Sequence, residues 1–574
     1  MHSSPISGIA TKDNYVATAG YDNNLILWEA ARSNAIASAS HDHLVNQCTF
    51  SHNGQLLLSS SSDYTVRLWS VPELHCLAIF SFAQDDTEGV AFHPSDKYII
   101  FTSRDHNIYF CDIEGNLIHI LKGHKQDVLS VSWLNDEIAI SSSDDGTIKR
   151  WSPFTGELLS STDLKGVETD TIAIKGDECI FSGNDKGEIH IFENDEISVI
   201  KAHNAGIKRL LYSQEFSQLI SLSYDRYVAI WQVSSNNDLV LIKKMPYPYQ
   251  IWARSCDFQN ENSLVVSTFG SSYAKLNIES DSWDLTNVMP TSGINAICKS
   301  DDDIFSVGDA GTIICRSVNG KKHKYPLSDV PSLCNFIIKV DQFLLVGGQT
   351  GTVYQVSGEV VTSVYQHHSP INCAIKYVNN ECTYVAIGTY TGDIVILKIN
   401  GATLNLYQLI QAHDNAIKSI ATSQNFIYSV SANCNAAFHS IHDFNCVKRL
   451  EGAHDKIING CTYYQDDKFV SVSRDLTLRL TSLTEQSIIN TPHKHSIKCI
   501  AISDDKKFIA TGGYYGDIYI YHLDSGLWQY FRPCTSGISC MIYNADQKCF
   551  LASSYNGNIY DVELESINCT ADLL

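Results

Sequence analysis

Ser61-Ser62-Asp63-Tyr64-Thr65-Val66-Arg67-Leu68-Trp69 decides how this chain folds. A strand of small residues ends near Asp63, a turn follows, and an alternating strand runs out to Trp69. The same phrase reads Ala19-Gly20-Tyr21-Asp22 to Trp28, Ser143-Asp144-Asp145 to Trp151, and Ser223-Tyr224-Asp225 to Trp231. In all four the aspartate precedes the tryptophan by six residues.

Working outward, degenerate copies align on the tryptophan position. The series is Trp28, Trp69, Cys111, Trp151, Phe192, Trp231, Asn277, Arg316, Val356, Leu397, Ser440, Thr481, Tyr521 and Val562. Its thirteen intervals cover 534 residues, a mean near 41, and none departs from that by more than five. A random apolar pattern does not hold phase over fourteen periods, so the period sets the fold. Turn residues such as Asn53-Gly54 and Asp504-Asp505-Lys506 divide each unit into four short strands.

The repeated phrase resembles the WD-repeat family, over essentially the whole chain. The resemblance implies an all-β protein in which each unit is one propeller blade of about 40–45 residues. Rings hold about four to eight blades, so fourteen must split. Two seven-bladed propellers in tandem divide the series evenly, over residues 1–290 and 291–574, with eight plus six as the alternative. The longest interval brackets Tyr247-Pro248-Tyr249-Gln250-Ile251-Trp252, the boundary falls near Met289-Pro290, and the second ring is degenerate.

The resemblance also assigns buried hydrogen-bonded sets of His, Ser or Thr, turn Asp and Trp: His41, Ser61, Asp63, Trp69; His124, Ser143, Asp145, Trp151; and His203, Ser223, Asp225, Trp231. A buried indole N–H, imidazole and carboxylate each need a partner, and such a set satisfies all of them. Three identical Ser-His-Asp groupings, each with its own Trp, read as structure and not as hydrolytic triads. In the second half one unit keeps most of the set (His454, Ser473, Asp475). His367, His413 and His493 hold the first position without an Asp–Trp partner.

No metal, cofactor or catalytic residue is assigned. His41/His43, His493/His495 and His439/His442 have ligand-like spacing but no third donor. Phosphate-loop, dinucleotide, metalloprotease and serine-hydrolase motifs are absent. The 63 acidic and 41 basic residues, net −22, argue against nucleic acid and anionic membrane as partners. No run of about 18 apolar residues or basic-then-apolar leader occurs. The 18 cysteines lack metal spacings; Cys48, Cys298, Cys373 and Cys499 sit in apolar runs, as reduced thiols of a cytoplasmic protein do.

The functional signal lies immediately before the turn aspartate. Tyr21, Arg104, Tyr224, Tyr390, Arg474, Tyr514 and Tyr555 occupy that slot in seven of fourteen units, and Asp144, Asp185 and Asp309 in three more. Tyr and Arg combine contact area with polar tips, as protein-binding hot spots do. The expected function is a scaffold that binds proteins or peptides on the ring faces holding these turns, of unspecified oligomeric state. The alternatives are an enzyme or small-ligand binder at a channel mouth, using His43, His495 and the unpaired histidines, and an actin-disassembly cofactor. The last rests on architecture alone, through a family that resembles this chain in having fourteen blades in two rings.

Overall fold

The computed structural model describes residues 1–177, 179–193, 196–301, 303–317 and 324–564. Fourteen antiparallel sheets follow one another along the chain, thirteen of four strands and the last with three among the described residues. The first sheet shows the plan: Ile6–Lys12, Tyr15–Gly20, Asn24–Glu29 and Asn34–Ser40, each paired with its neighbour in sequence. Apolar residues saturate the second and third strands, whereas the fourth is largely exposed, as in Glu196–Lys201. No helix among the described residues is long and apolar enough to cross a membrane.

The sheets gather into two compact units, Met1–Thr291 and Ser292–Leu574, with seven sheets in each. Within a unit the first strand of each sheet packs on the first strand of the next. In unit 1 the first and seventh sheets also meet: Ile9 N donates to Ser255 Oγ (3.1 Å), Lys275 Nζ to the Ala30 carbonyl (2.9 Å), and Trp28 lies edge-on to Tyr273. In unit 2 the corresponding contact joins Ile294 and Ile297 to Cys549 and Leu551, with Arg316 paired to Asp561 at 3.3 Å.

The alignment of third strands needs correction at two places. Trp69 pairs with Leu57, and the equivalent pairs are Leu276 with Leu264 and His439 with Ile427. The phase positions are therefore Leu276 and His439, not Asn277 and Ser440. Both true positions are buried, whereas Asn277 is exposed and Ser440 half-buried; a slip of one residue puts a strand's side chains on the opposite face. The turn glycines act where the backbone is left-handed. At Gly187 φ is +74°, and a Cβ would come within 2.4 Å of the His203 carbonyl. The described cysteines are free, with Cys48, Cys298, Cys373 and Cys499 on first strands.

Candidate functional site

The buried sets form, with a different serine. Ser59 Oγ, not Ser61, accepts from Trp69 Nε1 (2.8 Å) and pairs with His41 Nε2 (2.7 Å), while His41 Nδ1 meets Asp63 at 2.9 Å. Ser141 and Ser221 likewise replace Ser143 and Ser223 beside His124–Trp151 and His203–Trp231. The indole stands opposite Leu57 and reaches diagonally two residues along the neighbouring strand, to Ser59. Ser61, Ser143 and Ser223 instead close the turn, each hydroxyl accepting from the backbone N–H of its aspartate. A fourth complete set, His2–Asp22–Thr18–Trp28, was overlooked because its histidine precedes the first phrase. In unit 2, His454 pairs with Asp475 and with Ser471 rather than Ser473.

Two backbone devices then aim side chains at the inner rim of each unit, where the turn ends of the first strands gather. First, the slot residue's N–H donates to a carbonyl at or near the start of the first strand in every sheet. Tyr21 binds Pro5, Tyr224 binds Gly206, Arg474 binds Ile457 and Tyr555 binds Gly537. Second, the first strand carries a bulge at its second residue in all seven sheets of unit 2, at Asn295, Asn335, Asn372, Lys418, Asn459, Lys498 and Ser539. A bulge leaves one residue out of the ladder and re-aims its side chain. Sequence reading missed these residues, although a signal exists for four of them: Asn372, Lys418, Asn459 and Lys498 each stand five positions after a histidine, His367, His413, His454 and His493.

Where the bulge residue is asparagine it latches neighbouring sheets. Asn335 Nδ2 donates to the Ile371 carbonyl, Asn372 to Ile417 and Asn459 to Ile497, at 2.7–2.8 Å. Asn295 does the same to Cys334, and Asn46 to Thr87 in unit 1.

At the rim of unit 1, the buried cations each lie against carboxylates. Arg104 is 9% exposed, its guanidinium bonded to Glu88 and Asp127. The Lys208 ammonium bridges Asp170 and Asp185, and Arg254 reaches Glu88 at 3.1 Å. Burial first, then neighbouring carboxylates, raise Asp144, Glu168 and Asp185 above the ordinary carboxylate range. Burial opposes the charge on Lys208, but Asp170 and Asp185 hold it well above the ordinary ammonium value. An aromatic arc completes the rim: Tyr21 edge-on to Trp252 (5.2 Å), Trp252 stacked on Phe269, and Tyr224 beneath Lys208.

At the rim of unit 2 a cavity of about 310 Å³ opens, lined by all seven bulge residues and by Tyr555. Tyr514 stacks on Tyr555, and Lys498 lies over the Tyr514 ring at 6.0 Å. The Arg474 charge acts on Lys418. Burial, with Lys498 and Arg474 adding like charge, lowers Lys418 to about 7.

The slot residues thus lie at the rims, but not as a broad exposed face. Tyr21, Tyr224, Tyr390, Arg474, Tyr514 and Tyr555 are half-buried and Arg104 is buried, because the pinned turn points them inward at neighbouring sheets. Of the histidines proposed for chemistry, His43 is buried beside Leu44, and His495 stacks on Tyr515. His367, expected to lack a carboxylate, faces Asp393 at 3.5 Å. With His368 these two form a group of metal-capable donors, within 4.8 Å of one another, that spacing did not suggest.

This is a repeat protein of four-stranded sheets, with its recognition-capable residues at the inner rims. The repeat described as WD domain, G-beta repeat matches residues 35–70, 115–152 and 486–522. Similar proteins include pre-mRNA-processing factor 19 of Bos taurus, 28% identical over 20% of this chain and 24% of that one. The transcriptional corepressor LEUNIG_HOMOLOG of Arabidopsis thaliana is 23% identical over 38% and 28%. A p21-activated protein kinase-interacting protein 1-like of Danio rerio is 20% identical over 41% and 64%. The matched region is thus less than two thirds of each of these relatives. The chain carries WD40 repeats.

Proposed function

We propose that each unit closes as a seven-bladed propeller and that the protein is an interaction scaffold, holding protein partners at the two rims. Closure is supported by the packing of first on seventh sheet in each unit, which buries apolar residues of both. The observation that carries the scaffold reading is the slot hydrogen bond. It fixes the main chain that carries Tyr, Arg and Asp side chains around the rim, so that little backbone entropy is lost when a partner docks. Relatives named as a corepressor and as a kinase-interacting protein accord with such a role. Two rims on one chain would raise the effective concentration of one partner near another.

The test compares wild type with Tyr514→Ala plus Arg474→Ala and with Tyr21→Ala plus Tyr224→Ala. Partners captured by the wild type are identified, purified and titrated against each. Loss of at least about tenfold in affinity, roughly 1.4 kcal/mol, is expected for one rim per partner. Unchanged affinity in both double variants would remove the rims as the binding sites. A small-ligand reading is favoured at unit 2 by its cavity.

A further inference from the structure

Lys418 and Lys498 stand where neighbouring sheets carry the latching asparagines. At these two positions the fold forgoes an amide-to-carbonyl hydrogen bond between sheets and points an ammonium into the cavity instead. Among the described residues neither lysine forms an ion pair with a carboxylate, and Lys498 has only the face of Tyr514. Like charge accumulates here: Arg474 occupies the slot of the same rim, and Lys456 lies near enough that Arg474 helps to lower it, after burial. The slots of unit 2 read Asp309, Gln349, Tyr390, Ala432, Arg474, Tyr514 and Tyr555, so Asp309 is the single carboxylate among the slot residues, and it accepts from Asn295. Elsewhere the molecule matches its buried cations, as Lys208 and Arg104 show.

We infer that the unit 2 cavity is an oxyanion site for a multiply charged phosphate group, held between Lys418 and Lys498. An ammonium is a compact donor that suits a phosphate oxygen, and a dianion would offset the repulsion that the two lysines impose on each other. Asparagine amides offer further donors, since each latch uses one of its two N–H bonds. The cavity exceeds one phosphate, so a diphosphate or a phosphoryl group carried on a peptide fits the same chemistry. The inference does not rest on the scaffold reading, because a free anion needs no protein partner.

Lys418→Asn and Lys498→Asn test it, singly and together, because asparagine is the residue that the adjoining sheets accept at this bulge. These variants restore the latch and remove like charge, so they should melt no lower than wild type. Calorimetric titration with inorganic pyrophosphate should show at least tenfold weaker binding for each single variant and none for the double. Lys494→Asn, an exposed lysine, should bind as wild type. A serine-phosphorylated peptide and its unphosphorylated form make a second arm. Lysine-dependent binding of the phosphopeptide without pyrophosphate binding supports a peptide-borne phosphoryl group, and the converse supports a free anion. Failure of the folded wild type to bind either probe, or unchanged binding by the double variant, overturns the site.

Discussion

The rim of unit 1 and the rim of unit 2 use the same pinned turn, yet they treat charge in opposite ways. In unit 1, Arg104, Lys208 and Arg254 each lie against a carboxylate from another part of the rim, and aromatic rings cover what remains. In unit 2, Lys418 and Lys498 face a cavity with no carboxylate paired to either among the described residues. A matched rim is stable as it stands and recognises by shape and aromatic surface. An unmatched one keeps its electrostatic demand for a ligand. The buried sets differ in parallel: four complete ones with Trp in unit 1, and in unit 2 histidines in sheets that carry no Trp at the equivalent position.

The sharpest way to break the comparison is at Arg104. Arg104→Ala removes the cation that Glu88 and Asp127 share and should cost about 3–5 kcal/mol in denaturant unfolding, whereas Lys498→Ala, whose ammonium lies over the Tyr514 ring, should cost under about 1 kcal/mol. Equal costs would mean that the rims are electrostatically alike. Next comes Trp151→Phe, which keeps an aromatic ring but leaves the Ser141 hydroxyl without its indole donor. A loss of about 1–3 kcal/mol is expected, against under about 0.5 kcal/mol for Tyr521→Phe at the matching position of unit 2.

Acid sharpens the contrast further. Burial holds His413 and His493 down to about 3 and His439 to about 4, with no carboxylate to oppose it. Their folded values lie below the ordinary one of about 6.5, so the unfolded chain takes up protons first as pH falls. Stability present above pH 6.5 is then lost, by up to about 1.4 kcal/mol per pH unit for each histidine. In unit 1 burial also lowers His41, His124 and His203, but Asp63, Asp145 and Asp225 pull the other way. Those aspartates are themselves depressed, Asp225 to about 2, so their contribution persists until the pH drops below about 4. Hydrogen exchange, corrected for intrinsic rates, should therefore show unit 2 opening first between pH 6.5 and 4.5. Unit 1 opening first would contradict this. The smallest effect has the opposite sign: Lys418→Asn should raise the melting temperature of unit 2 slightly, by the equivalent of about 1 kcal/mol, in calorimetry without added anion.

The repeat was legible because four aspartate–tryptophan phrases keep one spacing, and the sheets fall where that spacing puts them. The slot was legible too, since it is counted from the same aspartate. Its burial was not, because whether Arg104 faces solvent depends on Glu88 and Asp127, which come from other strands. Ser59 and Ser61 are both hydroxyls on one strand two residues apart, and only the reach of the Trp69 indole distinguishes them. The bulge residues escaped notice because a polar residue within an apolar strand looks like ordinary alternation until pairing shows it standing outside the ladder.

The slot N–H bond has a consequence for how such a surface can change over time. Since the anchoring is done by main chain, the side chain at each slot is a free variable: tyrosine, arginine, aspartate, glutamine and alanine already occupy equivalent places on an unaltered frame. Specificity can therefore drift by single codons while the architecture stays constant, and proline, which has no N–H to give, is the one substitution this pegboard forbids at every hole.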